Sequence, residues 1–348
     1  MSRDLPIRDS VALAPYTTFG IGGPARSFAT ATSEDDIAAA VAWARERSLP
    51  LFVLGGGSNL LVRDAGFPGL VLHIALRGIQ QQPRGIFNVA AGESWDDFVD
   101  YALSLHMAGI ECLAGIPGSV GGTPVQNVGA YGQEVAQTIE SVRAYDRQTE
   151  KFVEIPRARC RFRYRESLFN TDEPNRYIVS QVRFRLHLRG LPSLRYGDLQ
   201  RAFDHASDPT LAEVASTVRN LRRSKGMLLV PGDPDCRSAG SFFKNPIVTT
   251  AELASVAAAL GVKPNGIPQW AAADHRIKLP AAWLLERAGF KKGYAEGAAG
   301  LSSRHTLALI NRGNATCADI ERLQDHIVAT VQQRFGLTLE REPVLLGT

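Results

Sequence analysis

The sequence has few of the features that mark a disulfide-stapled, membrane-spanning or metal-binding chain. Its 348 residues include only four cysteines, Cys112, Cys160, Cys236 and Cys317, scattered with no C-x-x-C pair. That spacing offers neither a disulfide framework nor a cysteine zinc site, so buried, reduced thiols are expected. Seven histidines form no H-E-x-x-H or comparable pattern, and no metal is expected. No stretch approaches the ~18 consecutive apolar residues of a membrane span. The opening MSRDLPIRDS lacks the apolar core of a secretory signal, which points to a cytoplasmic protein. Large charge excess is missing too. A net charge of +4 is too mild to imply nucleic-acid binding, yet it suits a small anionic substrate.

What is present is an ordinary globular balance, 45% hydrophobic and 21% charged, in a chain long enough for two or three domains. EDDIAAAVAWARER at 34–47 follows Ser33 with acids first and bases last, a capped helix aligned with its own dipole. Pro50 leads into LFVLGGGSNLLV, read as strand, glycine turn and strand, and LVLHIAL and IFNVAAG continue the strand pattern. SWDDFVDYALSLHMA at 94–108 predicts a second capped helix with Gly109 as its stop. SVRAYD, KFVEI and RYIVSQVRFRLHL predict strands, and 206–225 a helix ending in Arg222, Arg223 and Lys225. Helices follow at 250–260, 280–289 and 317–335, with a strand at HTLALIN between the last two. Strands and helices do not alternate strictly, so the class is mixed α+β and not a doubly wound sheet.

Two glycine-rich segments stand out, LGGGSNLLV at 54–62 and GIPGSVGGTPVQNVGAYG at 115–132. Neither contains G-x-x-x-x-G-K-[ST], and PGSVG at 117–121 has proline where a nucleophile elbow needs glycine. Gly20-Ile-Gly22-Gly-Pro-Ala25 fits G-x-G-x-x-A on paper, but Pro24 falls at the supposed helix start. Such loops either make tight turns or present backbone N–H groups to phosphate. Two long loops backed by strands favour a bound diphosphate, with Ser58, Asn59, Ser119 and Asn127 able to add side-chain hydrogen bonds. Arg157, Arg159, Arg161, Arg163 and Arg165 alternate with Ala158, Cys160, Phe162 and Tyr164. Taken alone, that alternation reads as an amphipathic strand with a solvated basic face, or less readily as a nucleic-acid stripe.

TTFGIGGPA at 17–25, the two glycine segments, CRFRYRESLF at 160–169, YGDL at 196–199, SAGSFFKNP at 238–246 and LEREPVLLG at 339–347 occur in one order over nearly the whole chain. Together they resemble the UDP-N-acetylenolpyruvoylglucosamine reductase family, in the branch that carries a YGDL tyrosine loop. The resemblance implies a two-lobed FAD-binding domain of the vanillyl-alcohol oxidase type, with lobes at 1–75 and 76–205. It also implies a substrate-binding domain at 206–330 and a tail at 331–348 that returns to the active site. The expected reaction is NADPH-dependent reduction of UDP-N-acetylglucosamine enolpyruvate to UDP-N-acetylmuramate through FAD.

On this resemblance the FAD contacts are Gly55, Gly56, Gly57, Ser58 and Asn59 in the first loop. In the second they are Gly115, Pro117, Gly118, Ser119, Gly121, Gly122, Asn127, Gly129 and Ala130. Neither loop contains histidine or cysteine, so the flavin is expected to be held non-covalently. The resemblance assigns the catalytic work to Arg165, Ser241 and Glu342, with Glu340 the alternative carboxyl because Pro343 follows Glu342. Substrate contacts are implied at Tyr164, Tyr196, Arg222, Lys225, Asn245 and His305. NADPH and the sugar nucleotide are expected to use one pocket in turn, on a monomer.

Overall fold

The computed structural model describes residues 5–204 and 208–347. They fall into two compact units. The first takes residues up to 11, then 25–57 and 67–223; the second takes 12–24, 58–66 and the chain from 224 onward.

In the first unit, helix α1 (Glu34–Glu46) begins at the predicted cap: the Asp36 N–H donates to Ser33 Oγ, and the Asp36 carboxylate accepts from the Ser33 N–H. Two orphan donors are thereby satisfied reciprocally. Ile37, Ala40, Val41 and Ala44 form its buried stripe. A four-stranded sheet runs in the order Ile7–Ala12, Pro24–Ala31, Phe67–Ile74 and Leu51–Leu54, and Phe67–Ile74 is parallel to both of its neighbours. A five-stranded antiparallel sheet has the order Lys151–Pro156, Ile139–Asp146, Tyr177–Arg185, Ile86–Ala90 and Ile79–Gln82. One apolar cluster joins these elements, with Trp95, Phe98, Phe87 and Phe184 fully buried.

Three expectations change here. Helix α2 (Trp95–Ser104) keeps its Ser94 cap but stops four residues short of 108. His106 turns the chain into the left-handed region (φ 55°), and Met107–Ala108 pairs with His187–Leu188 as a short ladder. The arginine alternation forms no strand. Lys151–Pro156 is an edge strand, Pro156 cannot donate to a ladder, and Arg157–Cys160 winds into a 3-10 turn that buries only Cys160. For the helix predicted over 206–225, residues 205–207 lie outside the described residues. Helix α4 spans Leu211–Ser224, and a short α3 (Gly197–Ala202) that the pattern did not signal precedes it.

The second unit contains α5 (Thr250–Leu260), α6 (Ala281–Ala288) and α7 (Cys317–Phe335), close to their predicted limits. Thr249 and Thr316 cap α5 and α7 through capping boxes with Glu252 and Asp319, and Gly261, Gly289 and Gly336 end the three helices in left-handed conformations. The strand expected across HTLALIN is limited to Leu309–Asn311. Leu60–Val62 pairs in parallel with Val344–Leu346, the last strand of the chain. Phe19, Leu61, Phe242, Phe243, Leu284, Leu309, Ile320 and Ile327 centre a second apolar cluster. All four cysteines are buried free thiols, and burial pushes those of Cys160 and Cys317 up to about 12. No described helix is long and apolar enough to cross a membrane.

Candidate functional site

In the first unit the two glycine loops meet backbone to backbone. A Cβ on Gly56 would lie 2.6 Å from Gly118 Cα, and one on Gly55 would lie 2.7 Å from Ser119 Oγ. The second loop is laid along the entry to α2: the Trp95 N–H donates to the Gly118 carbonyl (3.0 Å), the Val120 N–H to Glu93 (2.8 Å) and the Gly121 N–H to Ala91 (2.8 Å). Gly121 has no room for a side chain either, since its Cβ would sit 2.5 Å from Ala91 Cβ. Gly122 is exposed beside them. Among the described residues, the N–H groups of Gly55, Gly56, Gly57, Gly118 and Ser119 meet no protein acceptor. Opposed loops with uncommitted backbone donors suit a diphosphate. Gly56→Ala is therefore expected to yield protein with little bound flavin and a melting temperature lowered by several degrees, as overpacking against fixed backbone costs about 1–3 kcal/mol. The flavin-to-protein absorbance ratio and a thermal scan check it.

Gly115 is pinned on both sides of its peptide. Its N–H donates to Asp96 Oδ1 (2.6 Å), and its carbonyl accepts from Arg222 Nε (2.9 Å). Asp96 is held in turn by Arg219 (2.7 Å), one helical turn before Arg222 on α4. Arg222, expected to contact substrate, is thus a buried clamp on the cofactor loop, and burial lowers its pKa from the ordinary arginine value. Asn127 is also committed within the protein. Its amide donates to Glu134 and to the Arg163 carbonyl (both 3.0 Å), and its carbonyl accepts from the Ala136 N–H (3.2 Å).

Arg165 sits at the tip of a tight hairpin. Arg163 and Glu166 exchange backbone hydrogen bonds of 2.9 and 3.2 Å, and Arg165 occupies the turn at φ 60°. That conformation is unfavourable for a side chain bearing a Cβ. It is held by Asn170, whose side chain donates to the Arg165 carbonyl (3.0 Å), and by Arg163, which pairs with Glu166 and Asp172 at 2.9 Å each. The Arg165 guanidinium stacks over Tyr164 at 5.4 Å from the ring centre, and its Nη1 lies 3.4 Å from where a Gly129 Cβ would be. Gly129 and Ala130 open the next hairpin, whose Tyr131 meets Tyr196 edge to face at 5.3 Å. Pro117 is half-buried and Tyr196 more than a third exposed.

In the second unit, Ser241 and Glu342 lie on paired segments. The Glu342 N–H donates to the Phe242 carbonyl (2.8 Å), and the Phe242 N–H donates to Leu307 (2.8 Å). Phe242 and Phe243 are fully buried and contact each other edge to face, which fixes the backbone that carries Ser241. Ser241 itself is half-buried, and its hydroxyl has no partner among the described residues. Asn59 supports Glu342 from the other side. Its amide donates to the Glu342 carbonyl (3.3 Å), and its own carbonyl accepts from Val344 (3.0 Å). Ser58, beside it, is half-buried. Glu340 instead pairs with Lys244 at 3.2 Å on the surface.

Asn245 Oδ1 accepts from the Ala281 N–H at the start of α6 (2.9 Å), leaving its NH2 group for other contacts. The His305 Nδ1 accepts from the Leu307 N–H (3.0 Å), so the neutral ring carries its proton on Nε2. Burial, and after it the charges of Lys225 and Lys292, push His305 down to about 4. The unfolded chain, with the ordinary value of 6.5, takes up this proton first. The group's contribution is therefore present above pH 6.5 and lost as pH falls towards about 4, destabilising the native state. An NMR titration of the His305 ring is expected to show a midpoint near 4, with no protonation across the neutral range.

Comparison with known proteins decides the family. A model described as FAD binding domain matches residues 25–155, and one described as UDP-N-acetylenolpyruvoylglucosamine reductase, C-terminal domain, matches 233–346. A UDP-N-acetylenolpyruvoylglucosamine reductase of Streptomyces coelicolor is 49% identical over 96% of this chain and 89% of its own length. That of Pseudomonas aeruginosa is 40% identical over 98% of this chain and 99% of its own. A crystal structure of the reductase from Thermus caldophilus superposes with a TM-score of 0.68 at 26% identity, covering 99% and 100% of the two chains. The chain belongs to the UDP-N-acetylenolpyruvoylglucosamine reductase family.

For a UDP-N-acetylenolpyruvoylglucosamine reductase, the bare loop backbones at Gly55–Gly57 and Gly118–Ser119 fit the diphosphate of FAD. Sequence reasoning missed the residues that hold this cradle: Asp96 and Arg219 behind Gly115, and Glu134 and Asn170 around the Arg165 hairpin. Asp96 reads in the sequence as a first-turn acid of a capped helix, and Arg219 as one of several bases on α4. The signal for their pairing was the charge complement of two amphipathic helices, which a linear pattern does not register.

Proposed function

We propose that this chain reduces UDP-N-acetylglucosamine enolpyruvate to UDP-N-acetylmuramate with NADPH, a step of peptidoglycan precursor synthesis, acting as a monomer in the cytoplasm. The observation that carries the reading is the opposed pair of glycine loops in a chain of this family, with Gly56 against Gly118 and five backbone donors uncommitted. Those donors would hold the FAD diphosphate non-covalently, with Ser119 and Ser58 beside them. Bound FAD supplies the carrier that moves hydride from NADPH to the terminal carbon of the enolpyruvyl double bond.

The chain's own residues do the rest. Hydride addition drives charge into the adjoining carboxylate. The Arg165 fork takes that carboxylate bidentately and is in place before the charge develops. Glu342, in its protonated form, donates to the same charge. Both acids lie on the segment paired with 242–244, and the claim of Glu342 over Glu340 rests on its being half-buried, whereas Glu340 is exposed and engaged by Lys244. Ser241 Oγ–H delivers the proton to the ether carbon, and the absence of a competing partner leaves that hydroxyl free to do so. Lys225, a point charge, and Tyr196, half in solvent, are assigned to the nucleotide diphosphate of the substrate, with Tyr164, Asn245 and His305 as further contacts. We assign the lobes to 1–75 and 76–205, each built on one sheet of the first unit. The substrate domain is assigned to 206–330, and the tail to 331–348.

NADPH and the sugar nucleotide take turns in one pocket on this reading, so initial-rate lines should be parallel. The direct test is an anaerobic spectrum of the purified holoenzyme. Its flavin band should bleach with NADPH and return when the enolpyruvyl sugar nucleotide is added. A band that bleaches and stays bleached would overturn the substrate assignment, and protein unable to bind FAD would overturn the reading of the loops.

A further inference from the structure

A crease of about 360 Å³ opens on the first unit where the C-terminal end of α1, the 146–151 hairpin and the 174–176 loop meet. Val41, Ala44, Leu49 and Pro174 supply its apolar lining, and Arg45, Arg147, Arg176 and Glu150 its charges, with Gln148 and Asn175 between them. None of these groups has a part in the chemistry above. Two of the three cations are already neutralised. Arg45 pairs with Glu150, and Arg176 holds Asp146 at 2.7 Å and also pairs with Glu173.

Arg147 differs from both. Its side chain makes one hydrogen bond, from Nη1 to the Asn175 carbonyl (2.8 Å), and it has no carboxylate within ion-pair distance among the described residues. The guanidinium is half-buried, and burial lowers its pKa with no neighbouring acid to offset the effect. A partly desolvated cation with no carboxylate beside it lacks one unit of negative charge. The remaining N–H groups form a planar fork, whose natural counterpart is a carboxylate. A phosphate dianion would call for a second uncommitted cation, which the rim does not offer.

We infer that this crease is a binding site for a small monocarboxylate with an apolar body, held at its carboxylate by Arg147 and at its body by Val41, Ala44 and Leu49. The volume matches a ligand of a few to a dozen heavy atoms, at the lower end of small-molecule sites.

Benzoate serves as the probe on the FAD-loaded enzyme, with neutral benzamide as its isostere and arginine Nε–Hε resonances as the readout. Benzoate should shift the Arg147 resonance saturably, and benzamide should leave it in place. Read on the benzoate proton resonances, because the variants lack the Arg147 signal, Arg147→Lys, which keeps charge without the fork, should bind benzoate roughly tenfold more weakly, and Arg147→Met should lose binding while turnover is unchanged. Three results would overturn the inference: no saturable shift with benzoate, equal shifts with benzamide, or reversal of the shift by UDP-N-acetylglucosamine. The last would place benzoate among the substrate contacts. The readout is a resonance of Arg147, so it stands apart from the outcome of the flavin cycle that tests the proposed reaction.

Discussion

Ser241→Ala should still bleach its flavin with NADPH at the normal rate, yet regain colour about 10²–10⁴-fold more slowly when the enolpyruvyl sugar nucleotide is added. The two half-reactions make different demands. Reduction by NADPH needs no proton at carbon, so a missing hydroxyl leaves it alone. The second half-reaction ends with protonation of the ether carbon, and the substitution removes the proposed donor. Structural damage should be small: Ser241 is half-buried, makes no hydrogen bond among the described residues, and is anchored through Phe242 and Phe243. Burying each of those rings contributes about 1.5–3 kcal/mol, independently of the serine. Stopped-flow absorbance under anaerobic conditions separates the two steps. Equal slowing of both would point to a cofactor fault, and an unchanged second step would remove Ser241 from the mechanism.

Arg165 gives the second large effect, with a contrast between stability and activity. Its φ of 60° is held by the 163–166 hairpin and Asn170, at a cost of about 1–2 kcal/mol relative to glycine. Arg165→Gly relieves that strain. It should melt no lower than the parent protein, while the substrate half-reaction falls about 10²–10³-fold for want of the charge partner. Arg165→Lys keeps the charge but neither the fork nor the relief, and should fall between the two in rate. A glycine variant that is both unstable and inactive would mean that stacking on Tyr164 holds the hairpin and that the strain serves folding.

Capped helices were legible in the sequence because their signals are local. Ser33 and Ser94 stand where a cap accepts from the first turn and α1 and α2 begin there, while Thr249 and Thr316 cap α5 and α7, which the pattern predicts without naming their caps. The end of α2 was not legible. His106 leaves the helix for a ladder with His187–Leu188, some eighty residues away, and only that partner decides the matter. The arginine alternation misled for a similar reason. A period of two marks a strand only where a ladder is available, and Pro156 closes the sheet edge just before it. At the candidate site, motifs pointed to the glycine loops and led to the proposed roles of Arg165, Ser241 and Glu342. What the motifs hid is how firmly some polar residues are held in structural roles. Asn127, Asn59 and Arg222, read from the sequence as ligand contacts, also hold backbone carbonyls in the fold.

The pairing of Leu60–Val62 with Val344–Leu346 bears on how this protein is made. A chain emerging from the ribosome exposes 58–66 early, but that segment belongs to a unit of which only 12–24 precedes it and the rest arrives from residue 224 onward. Its partner strand, Val344–Leu346, is translated long after it. The segment must therefore wait, with Leu60 and Leu61 uncovered, through most of synthesis, and contacts of such long sequence separation form slowly. The same strand follows directly on Glu342, so completing this pairing also orders the segment that carries the proposed catalytic carboxyl. A nascent or prematurely terminated chain would be able to assemble the first unit's sheets while remaining unable to turn over substrate.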